Sequence, residues 1–514
     1  MAGQAFRGTD HMAAGAWVSV SLVAVVLLAG CSSGEGPSGD ASPEADNSAE
    51  PDPEEPSSVE SEQVTSAVDV SAVTTQSLGA ALPLTPASRG DEFADRGYTE
   101  MEYLVSGTAD VYSGASGGPA VVAERDVPYT TRILVRYPED PADFSGRVVV
   151  EPLNTSGLRD SDSAWNFIGG SIVDQGDAWV GVTVRNLSLD PLLEVDPQRY
   201  EALELSTNGL EWDILSQLGS VLKDGAEQSP LASYDVEHVY MTGYSQSAID
   251  VTTFASTFNA DARMTDASSL YDGYLIMSRS ANSTPLDSGD AMVPAFEPIV
   301  MGKVDVPLVE TETETDVEGY QVPEFTKPSS ASVRRADADE SGDRYRLYEI
   351  PGAAHSNASP NCSGGGTTFP QQYVSRAAYR NLVAWAEDGR APVSIDRMDT
   401  ESIGTVSVVA RDEHGNGLGG LRSPWIVAPL SSYAPHDPTG PFTCLGVGVE
   451  TPLGSSVTAE LYGDAATYLS EFEAALDASI DEGLLLDGDR EAILDEARQR
   501  VEEVGGLGPV EASG

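Results

Sequence analysis

Basic residues are scarce in this sequence of 514 residues, which holds 28 Lys and Arg against 82 Asp and Glu. The formal net charge is −54, and the lysines number three, Lys223, Lys303 and Lys327. A surface this negative repels phosphate groups, so we expect no nucleic-acid partner and no docking on an anionic membrane surface. The acidic excess favours solubility in a salty medium, where counterions screen the self-repulsion. Steering of a cationic substrate is the alternative.

Metal-binding and nucleotide-binding patterns are also absent from the sequence. It has three cysteines and five histidines, with no CxxC pair, no HExxH signature and no phosphate-binding loop ending in Gly-Lys. A structural zinc site would need four ligands, and few candidates for that role remain. We therefore expect neither a metal site nor a cofactor.

The N-terminal residues resemble the signal of a bacterial lipoprotein. Residues 13–29 are mostly apolar, too few to favour a membrane span, and small residues precede Cys31. We predict that residues 1–31 are a signal peptide and that Cys31 is lipidated. The protein would then lie outside the cytoplasm. The lipid on Cys31 would be its only attachment to the bacterial cell membrane. An ordinary signal peptide with a chance cysteine is the alternative, and Met12 is an alternative start to Met1.

The segment that follows Cys31 contains almost no apolar residues. Residues 32–63 include ten acidic and no basic side chains, together with many Ser, Pro and Gly. Such a segment cannot bury enough surface to fold, and its charges keep it extended. We predict a disordered linker over residues 32–75.

The two other cysteines, Cys362 and Cys444, form an even pair once Cys31 carries lipid. In an oxidising compartment outside the cytoplasm, we expect them to form a disulfide. Two buried, unlinked thiols are the alternative.

Short apolar runs alternate with helix-like segments through residues 76–400. This alternation predicts an α/β core with a mostly parallel sheet of about eight strands, because strands buried on both faces are apolar throughout. Residues 401–514 lose the alternation, and we predict that they form an appendage packed on the core, with helices at 459–472 and 490–504. The predicted strands are 102–105, 132–135, 147–150, 179–182, 239–241, 273–276, 306–309 and 345–350, and the predicted core helices are 212–222, 247–258 and 370–388.

The pentapeptide Gly243-Tyr244-Ser245-Gln246-Ser247 lies between a predicted strand and a predicted helix. A sharp strand-to-helix turn crowds the backbone around its central residue, and small residues on either side relieve that crowding. The serine then lies at a helix N-terminus, where the dipole favours developing negative charge. We predict Ser245 as a nucleophile; a simple Gly-Ser turn that caps a helix is the alternative.

A nucleophilic serine needs a base, and His355 is the best candidate. It ends a strand and a small-residue loop, Pro-Gly-Ala-Ala-His, after the proposed nucleophile in the chain. His238 comes too early in the chain, and His414 and His436 are more typical of surface loops. His11 lies in the predicted signal peptide.

The acid that orients the base should lie between Ser245 and His355 in the chain. Residues 312–316 read Glu-Thr-Glu-Thr-Asp and follow an apolar run. Asp316 is our choice because it lies past the strand end, and Glu314 is the alternative since either carboxylate can orient an imidazole.

The oxyanion of an acyl-transfer reaction requires two backbone donors. We predict one at the N–H of Gln246, directly after the nucleophile, and the other in the loop after residue 150, at Asn154 or Thr155.

Seven stretches of the sequence together match the pattern of a known family. They are 196–200, 212–217, 243–247, 312–316, 351–355, 376–378 with Trp385, and 415–425. Over about residues 97–505 the chain resembles the large bacterial and fungal proteins called α/β-hydrolase domain-containing proteins. The resemblance implies an α/β-hydrolase fold and a triad of Ser245, Asp316 and His355. It also implies that Cys362 and Cys444 occupy cysteine positions of the family, and it names no single substrate.

These residues together predict a serine hydrolase that works through an acyl-enzyme. The expected partner is a small-molecule carboxylic ester. A peptidase or an acyltransferase on the same triad is one alternative. A non-catalytic surface-binding lipoprotein with the same fold is the other, because fold alone does not establish function.

Replacing Cys31 tests the anchor. We expect Cys31→Ser to leave the precursor uncleaved by lipoprotein signal peptidase and unable to incorporate labelled fatty acid. Metabolic labelling and mass spectrometry of the mature N-terminus measure both effects. A wild-type mature protein that begins elsewhere, without acyl chains, would contradict the prediction.

Overall fold

The computed structural model describes residues 68–82, 93–287, 297–322, 325–356, 362, 366–437, 442–504 and 507. The predicted signal peptide, Cys31 and most of the predicted linker lie outside these residues and stay predictions. In the described part of the chain, no helix has both the length and the apolar character needed to cross a bilayer.

The strands of the described residues alternate with helices along the chain. In chain order the strands are Thr74–Ala80 (β1), Tyr98–Ser113 (β2), Val121–Pro138 (β3), Arg147–Pro152 (β4), Ala178–Val182 (β5), His238–Tyr244 (β6), Gly273–Met277 (β7), Asn282–Ser283 (β8), Glu297–Pro298 (β9), Leu308–Thr313 (β10), Tyr320–Val322 (β11), Phe325–Lys327 (β12), Ala338–Glu340 (β13), Asp343–Ile350 (β14), Thr400–Ile403 (β15), Val406–Val409 (β16), Ser431–Ala434 (β17) and Val449–Pro452 (β18).

Ten of these strands form one sheet, in the order β1-β2-β3-β5-β4-β6-β7-β10-β14-β13. From β5 to β14 in this order, neighbouring strands run parallel. The outer strands β1, β2 and β3 pair antiparallel at one edge, and β13 does so at the other. This arrangement confirms the predicted α/β fold with a mostly parallel sheet.

All eight predicted apolar runs overlap strands of this sheet, and the two further strands, β1 and β13, lie at its edges. The five residues of β5 are all buried, which explains its continuous apolar run. In contrast, β1 and β13 are largely exposed and carry polar residues, so no apolar pattern marks them. The edge strand β1 begins at residue 74, two residues before the predicted start of the core.

The helices lie between the strands and after them. They are Trp165–Gln175 (α1), Leu189–Val195 (α2), Pro197–Tyr200 (α3), Glu211–Lys223 (α4), Gln246–Thr257 (α5), Glu314–Glu318 (α6), Gln372–Asp388 (α7), Pro424–Val427 (α8), Ser455–Leu461 (α9), Ala465–Asp481 (α10) and Arg490–Glu503 (α11). The predicted helices at 212–222, 247–258, 370–388 and 490–504 correspond to α4, α5, α7 and α11.

Helices cover both faces of the sheet, and alternate residues of each strand point to opposite faces. Val148 and Val150 of β4 join a hydrophobic cluster with Trp212 of α4 and Phe254 of α5. Val149, between them, joins the cluster on the other face, which α1 and α7 cover. Because the strands from β5 to β14 run parallel, their carboxyl ends all lie at one edge of the sheet, between the two helical layers.

The chain after residue 400 packs on the helical layer that contains α7. The Trp425 indole stacks on the Tyr373 ring of α7 with centroids 6.0 Å apart, and meets Phe472 of α10 edge-on. The single helix predicted at 459–472 is wrong, because the structure has two helices there. Gly463 adopts a left-handed φ of 73°, and the Asp464 carboxylate then accepts a hydrogen bond from the Thr467 N–H to begin α10.

A disulfide joins Cys362, after β14, to Cys444, before β18. Both cysteines are buried together with Val447. The Ser356 N–H donates to the Gly446 carbonyl at 2.8 Å, so the segment around Cys444 also contacts the loop that follows β14.

Removing this bridge should destabilise the protein. The cysteines are 82 residues apart, and a cross-link closing a loop of that size removes about 4 to 5 kcal/mol of unfolded-chain entropy in the usual model. We expect the Cys362→Ser, Cys444→Ser double variant to melt at a lower temperature than the wild type. Peptide mapping of the unreduced protein should find the two cysteines linked, and free thiols at both positions would contradict the prediction.

Candidate active site

Ser245 lies in the turn between β6 and α5, with φ of 59° and ψ of −119°. A Cβ at Gly243 would lie 2.5 Å from the Ser247 backbone, so only glycine fits there. The Ser247 hydroxyl accepts from the Tyr244 N–H and donates to the Tyr244 carbonyl, both at 3.1 Å. The Ser247 side chain therefore stabilises the turn through both backbone groups of Tyr244. These hydrogen bonds explain why a serine occupies a position where a glycine is more usual.

The His355 imidazole lies directly beside Ser245. Its Nε2 is 2.8 Å from the Ser245 Oγ. The loop after β14 holds the residue in place, because its N–H donates to the Thr315 Oγ1 at 3.1 Å and its carbonyl accepts from the Tyr244 phenol. Two contacts thus join the turn at Ser245 to the loop after β14. One is between the Ser245 Oγ and the His355 Nε2, and the other is between the Tyr244 phenol and the His355 carbonyl.

Asp316 lies on the far side of the imidazole. Its Oδ1 is 3.0 Å from the His355 Nδ1. The side chain is fully buried in α6, where Asp316 and Thr313 form a capping box at the helix N-terminus. The Ser280 hydroxyl donates to Oδ1 at 2.8 Å. Despite its burial, the positive charge of Lys327 and the contact with His355 hold the pKa of Asp316 well below its usual range.

Glu314, the alternative acid, points away from His355. One of its oxygens accepts from the Gly352 N–H at 2.7 Å, and the other forms an ion pair with Arg411. Its burial raises its pKa to about 7. Glu314 thus stabilises the loop after β14 through the Gly352 N–H. Of the two carboxylates, only Asp316 contacts the imidazole.

Lys327 is a member of the site that the sequence analysis did not predict. Its Nζ is 2.7 Å from the Asp316 Oδ1 and 2.8 Å from the His355 Nδ1. The side chain is only 8% exposed. The available signal was the rarity of lysine in this chain, but no local pattern places the end of β12 against a loop that follows β14.

The surroundings of the predicted oxyanion donors are more complex than expected. Gln246 is the first residue of α5, so its N–H has no acceptor within the helix. The choice of Asn154 is wrong, because its N–H donates to the Ser161 carbonyl at 2.9 Å. The Thr155 N–H also has an acceptor, the side-chain Oε1 of Gln246, at 2.9 Å. Only the Gln246 N–H of the predicted donors is thus left to face an oxyanion.

A buried ionic network fixes the Gln246 side chain. Its Nε2 donates to the Asp250 carboxylate at 2.5 Å, and Asp250 forms an ion pair with Arg185. Glu211 lies 3.5 Å from the same guanidinium. Burial and the Asp250 charge raise the pKa of Glu211 well above its usual range.

A cavity of about 480 Å³ opens beside the imidazole. Its apolar wall is aromatic, since Phe167 stacks on Tyr244 with ring centroids 4.3 Å apart. Its polar groups include Asn166, Gln372 and Arg376. The volume falls in the range of small-molecule sites, and the cavity reaches His355 but not Ser245.

The other histidines in the described part of the chain lie outside this arrangement. His238, at the start of β6, lies 3.8 Å from the Asp272 carboxylate, and His436 lies 3.4 Å from Glu318. His414 neighbours the exposed Glu413. Among the described residues, no group of three His, Cys, Asp or Glu side chains could hold a metal ion.

A family model described as an alpha/beta hydrolase domain matches residues 64–495. Among proteins with curated descriptions, none matches this chain.

Solved structures of similar fold include hydrolases from several bacteria. A provisionally assigned dienelactone hydrolase from Klebsiella pneumoniae is 10% identical, with 55% of this chain and 98% of that chain covered and a TM-score of 0.32. A lidless α/β serine hydrolase from Xanthomonas campestris is 10% identical, covering 55% and 86%, with a TM-score of 0.24. Acetyl xylan esterase 1 from Thermoanaerobacterium is 9% identical, covering 40% and 51%, with a TM-score of 0.21. Likenesses this distant say nothing about the substrate of this chain.

The different partners of Asp316 and Glu314 predict different effects of their amides. We expect Asp316→Asn to lower kcat for ester hydrolysis by roughly 10⁴, because the amide favours the wrong imidazole tautomer. Glu314→Gln should lower the melting temperature, since Arg411 loses one of its two carboxylate partners and keeps only Glu318, and should change kcat by less than about tenfold. Kinetics and thermal melts of both variants check this, and an inactive, well-folded Glu314→Gln would reverse the assignment.

Proposed function

This chain belongs to the alpha/beta hydrolase domain family, whose model spans residues 64–495, and from that premise we propose that it is a serine hydrolase of small carboxylic esters. Ser245 is the proposed nucleophile, His355 the base and Asp316 the residue that orients the base. The observation that carries the proposal is the line of contacts from the Ser245 Oγ through the imidazole to Asp316, at 2.8 and 3.0 Å.

This geometry supports base catalysis at His355. With a proton on Nδ1 donated to Asp316, the Nε2 lone pair faces the Ser245 hydroxyl and can accept its proton. The serine oxygen then attacks the ester carbonyl carbon, and the imidazolium returns the proton to the departing alcohol. Water, deprotonated by the same imidazole, releases the acid and restores Ser245.

Stabilisation of the oxyanion is proposed for the N-terminus of α5. The Gln246 N–H is an unpaired donor of the first turn, and the helix dipole adds a partial positive charge there. Because Asp250 and the Thr155 N–H hold both ends of the Gln246 side-chain amide, the residue is fixed before substrate arrives. A fixed donor need not reorganise as the charge develops.

The cavity beside His355 supports a small-molecule ester as the substrate. At about 480 Å³ it accommodates a compact acyl or alcohol group, which would contact the Phe167–Tyr244 wall on one side and the polar groups of Asn166, Gln372 and Arg376 on the other. Peptides and alternative acyl acceptors use the same chemistry, so product analysis with esters, amides and added alcohols separates esterase, peptidase and acyltransferase.

The backbone of Ser245 argues against a purely binding role for this fold. A non-glycine residue with a φ of 59° is strained by about 1–3 kcal/mol. Five other described non-glycine residues also have positive φ, so the strain at Ser245 supports a nucleophile because the His355 Nε2 lies 2.8 Å from the Oγ of the same residue.

We further propose that the enzyme works outside the cytoplasm, attached to the bacterial membrane through lipid on Cys31. The apolar stretch before Cys31 and the acidic linker after it support this location. The disulfide between Cys362 and Cys444 is compatible with an oxidising compartment.

Ser245 and Ser247, two serines of the same strand-to-helix turn, provide a matched test of the nucleophile. We expect Ser245→Ala to lower kcat for p-nitrophenyl acetate by about 10⁴ to 10⁶, as loss of a triad nucleophile does elsewhere. Ser247→Ala should cost far less, because the Ser247 hydroxyl only holds the turn. Circular dichroism establishes that both variants fold, and equal losses from the two changes would refute the assignment.

A further inference from the structure

The ammonium of Lys327 lies within hydrogen-bond distance of both Asp316 and His355. We propose that Lys327 is a positioning residue of the site, whose charge keeps the His355 imidazole unprotonated, and so able to accept the Ser245 proton, in a more acidic medium. The reaction itself rests on the proposed function, but the effect of Lys327 on the imidazole can be measured without it.

The placement of Lys327 is costly unless its charge is used. Its side chain is only 8% exposed, at the end of the β11–β12 hairpin, and moving an ammonium out of water is unfavourable until it is paired. The hairpin directly follows α6, which contains Asp316. An apolar side chain would avoid that desolvation but would leave the buried Asp316 carboxylate without its opposite charge, so the Lys327 charge acts on Asp316 and, 2.8 Å away, on the His355 imidazole.

Proton counting limits what Lys327 can do there. The Nδ1 of a neutral imidazole either carries a proton or accepts one, so it cannot donate to Asp316 and accept from Lys327 at once. In the arrangement that leaves Nε2 free for Ser245, Nδ1–H donates to Asp316, and the ammonium donates to the same carboxylate oxygen. Lys327 then faces the imidazole as a nearby positive charge.

That charge opposes protonation of His355. Burial and the Lys327 charge lower the pKa of the imidazole, and Asp316 acts in the opposite direction. The other ionisable groups that face His355 are the Tyr244 phenol from β6, which donates to its carbonyl, and Arg376 of α7 across the cavity. Glu312 of β10 acts on Asp316, and burial raises the pKa of Glu312 well above its usual range.

The direction of the pH effect follows from these charges. A base works only when unprotonated, so kcat/KM falls as the pH drops through the pKa of His355. Removing the positive charge of Lys327 raises that pKa. The acid limb of the pH profile should therefore move to higher pH. The alkaline plateau should change little, because the His355 imidazole is unprotonated there with or without the Lys327 charge.

The kinetic test compares uncharged, charged and remote lysine variants. In Lys327→Met we expect the acid limb of the kcat/KM profile to move to higher pH, so that the ratio of kcat/KM on the wild-type limb to that at pH 8 falls severalfold. Lys327→Arg should keep the limb near its wild-type position. Lys303→Met, which changes an exposed lysine, is the matched control. An unchanged limb in Lys327→Met, with a uniform loss at all pH values, would overturn the proposal.

A second measurement follows the imidazole directly. Proton–carbon NMR of the histidine-labelled protein titrates the His355 ring, which is assigned by the resonance lost in His355→Gln. We expect the midpoint to rise in Lys327→Met and in Lys327→Gln, a second uncharged variant in case the first does not fold. A midpoint that stays or falls in a folded variant contradicts the proposal. A raised midpoint in a protein without esterase activity supports Lys327 and refutes the proposed function.

Discussion

The buried negative charge of Asp316 is the constraint on which the candidate site depends. A carboxylate without solvent is tolerated only when its oxygens accept enough hydrogen bonds and an opposite charge lies nearby. Here the donors come from four separate segments, namely Ser280 after β7, Thr313 at the end of β10, Lys327 in β12 and His355 after β14. Satisfying one charge therefore brings together four chain segments at the carboxyl edge of the sheet, and positions the imidazole as a consequence.

The turn at Ser245 depends on a second set of contacts, which act through the sheet. Strand β6 lies between β4 and β7, so its end is held on both sides while the backbone reverses into α5. The Gly243 and Ser247 pair allows the tight turn, and the Tyr244 phenol joins it to the carbonyl of His355. A central strand, paired on both sides, thus supports the strained turn at Ser245.

The sequence predicted what local patterns encode. Strands buried on both faces gave unmistakable apolar runs, whereas the edge strands β1 and β13 carry polar residues and gave none. The choice between Asp316 and Glu314 was open because both lie in one acidic stretch. Only the turn of α6 directs them to opposite sides, although the Thr-x-x-Asp capping pattern from Thr313 was a usable signal. Lys327 and the engaged N–H of Asn154 depend on contacts between distant segments, which leave no pattern in the sequence.

The central claim is that His355 activates Ser245 as a nucleophile, and covalent labelling of the whole chain tests it most directly. Incubation with a fluorophosphonate, followed by peptide mapping, should find one phosphonyl group on the peptide that contains Ser245. The same label should be nearly absent from a folded His355→Gln variant, because the hydroxyl then lacks its base. A label on another residue, no label on the folded wild type, or equal labelling of His355→Gln would contradict the account.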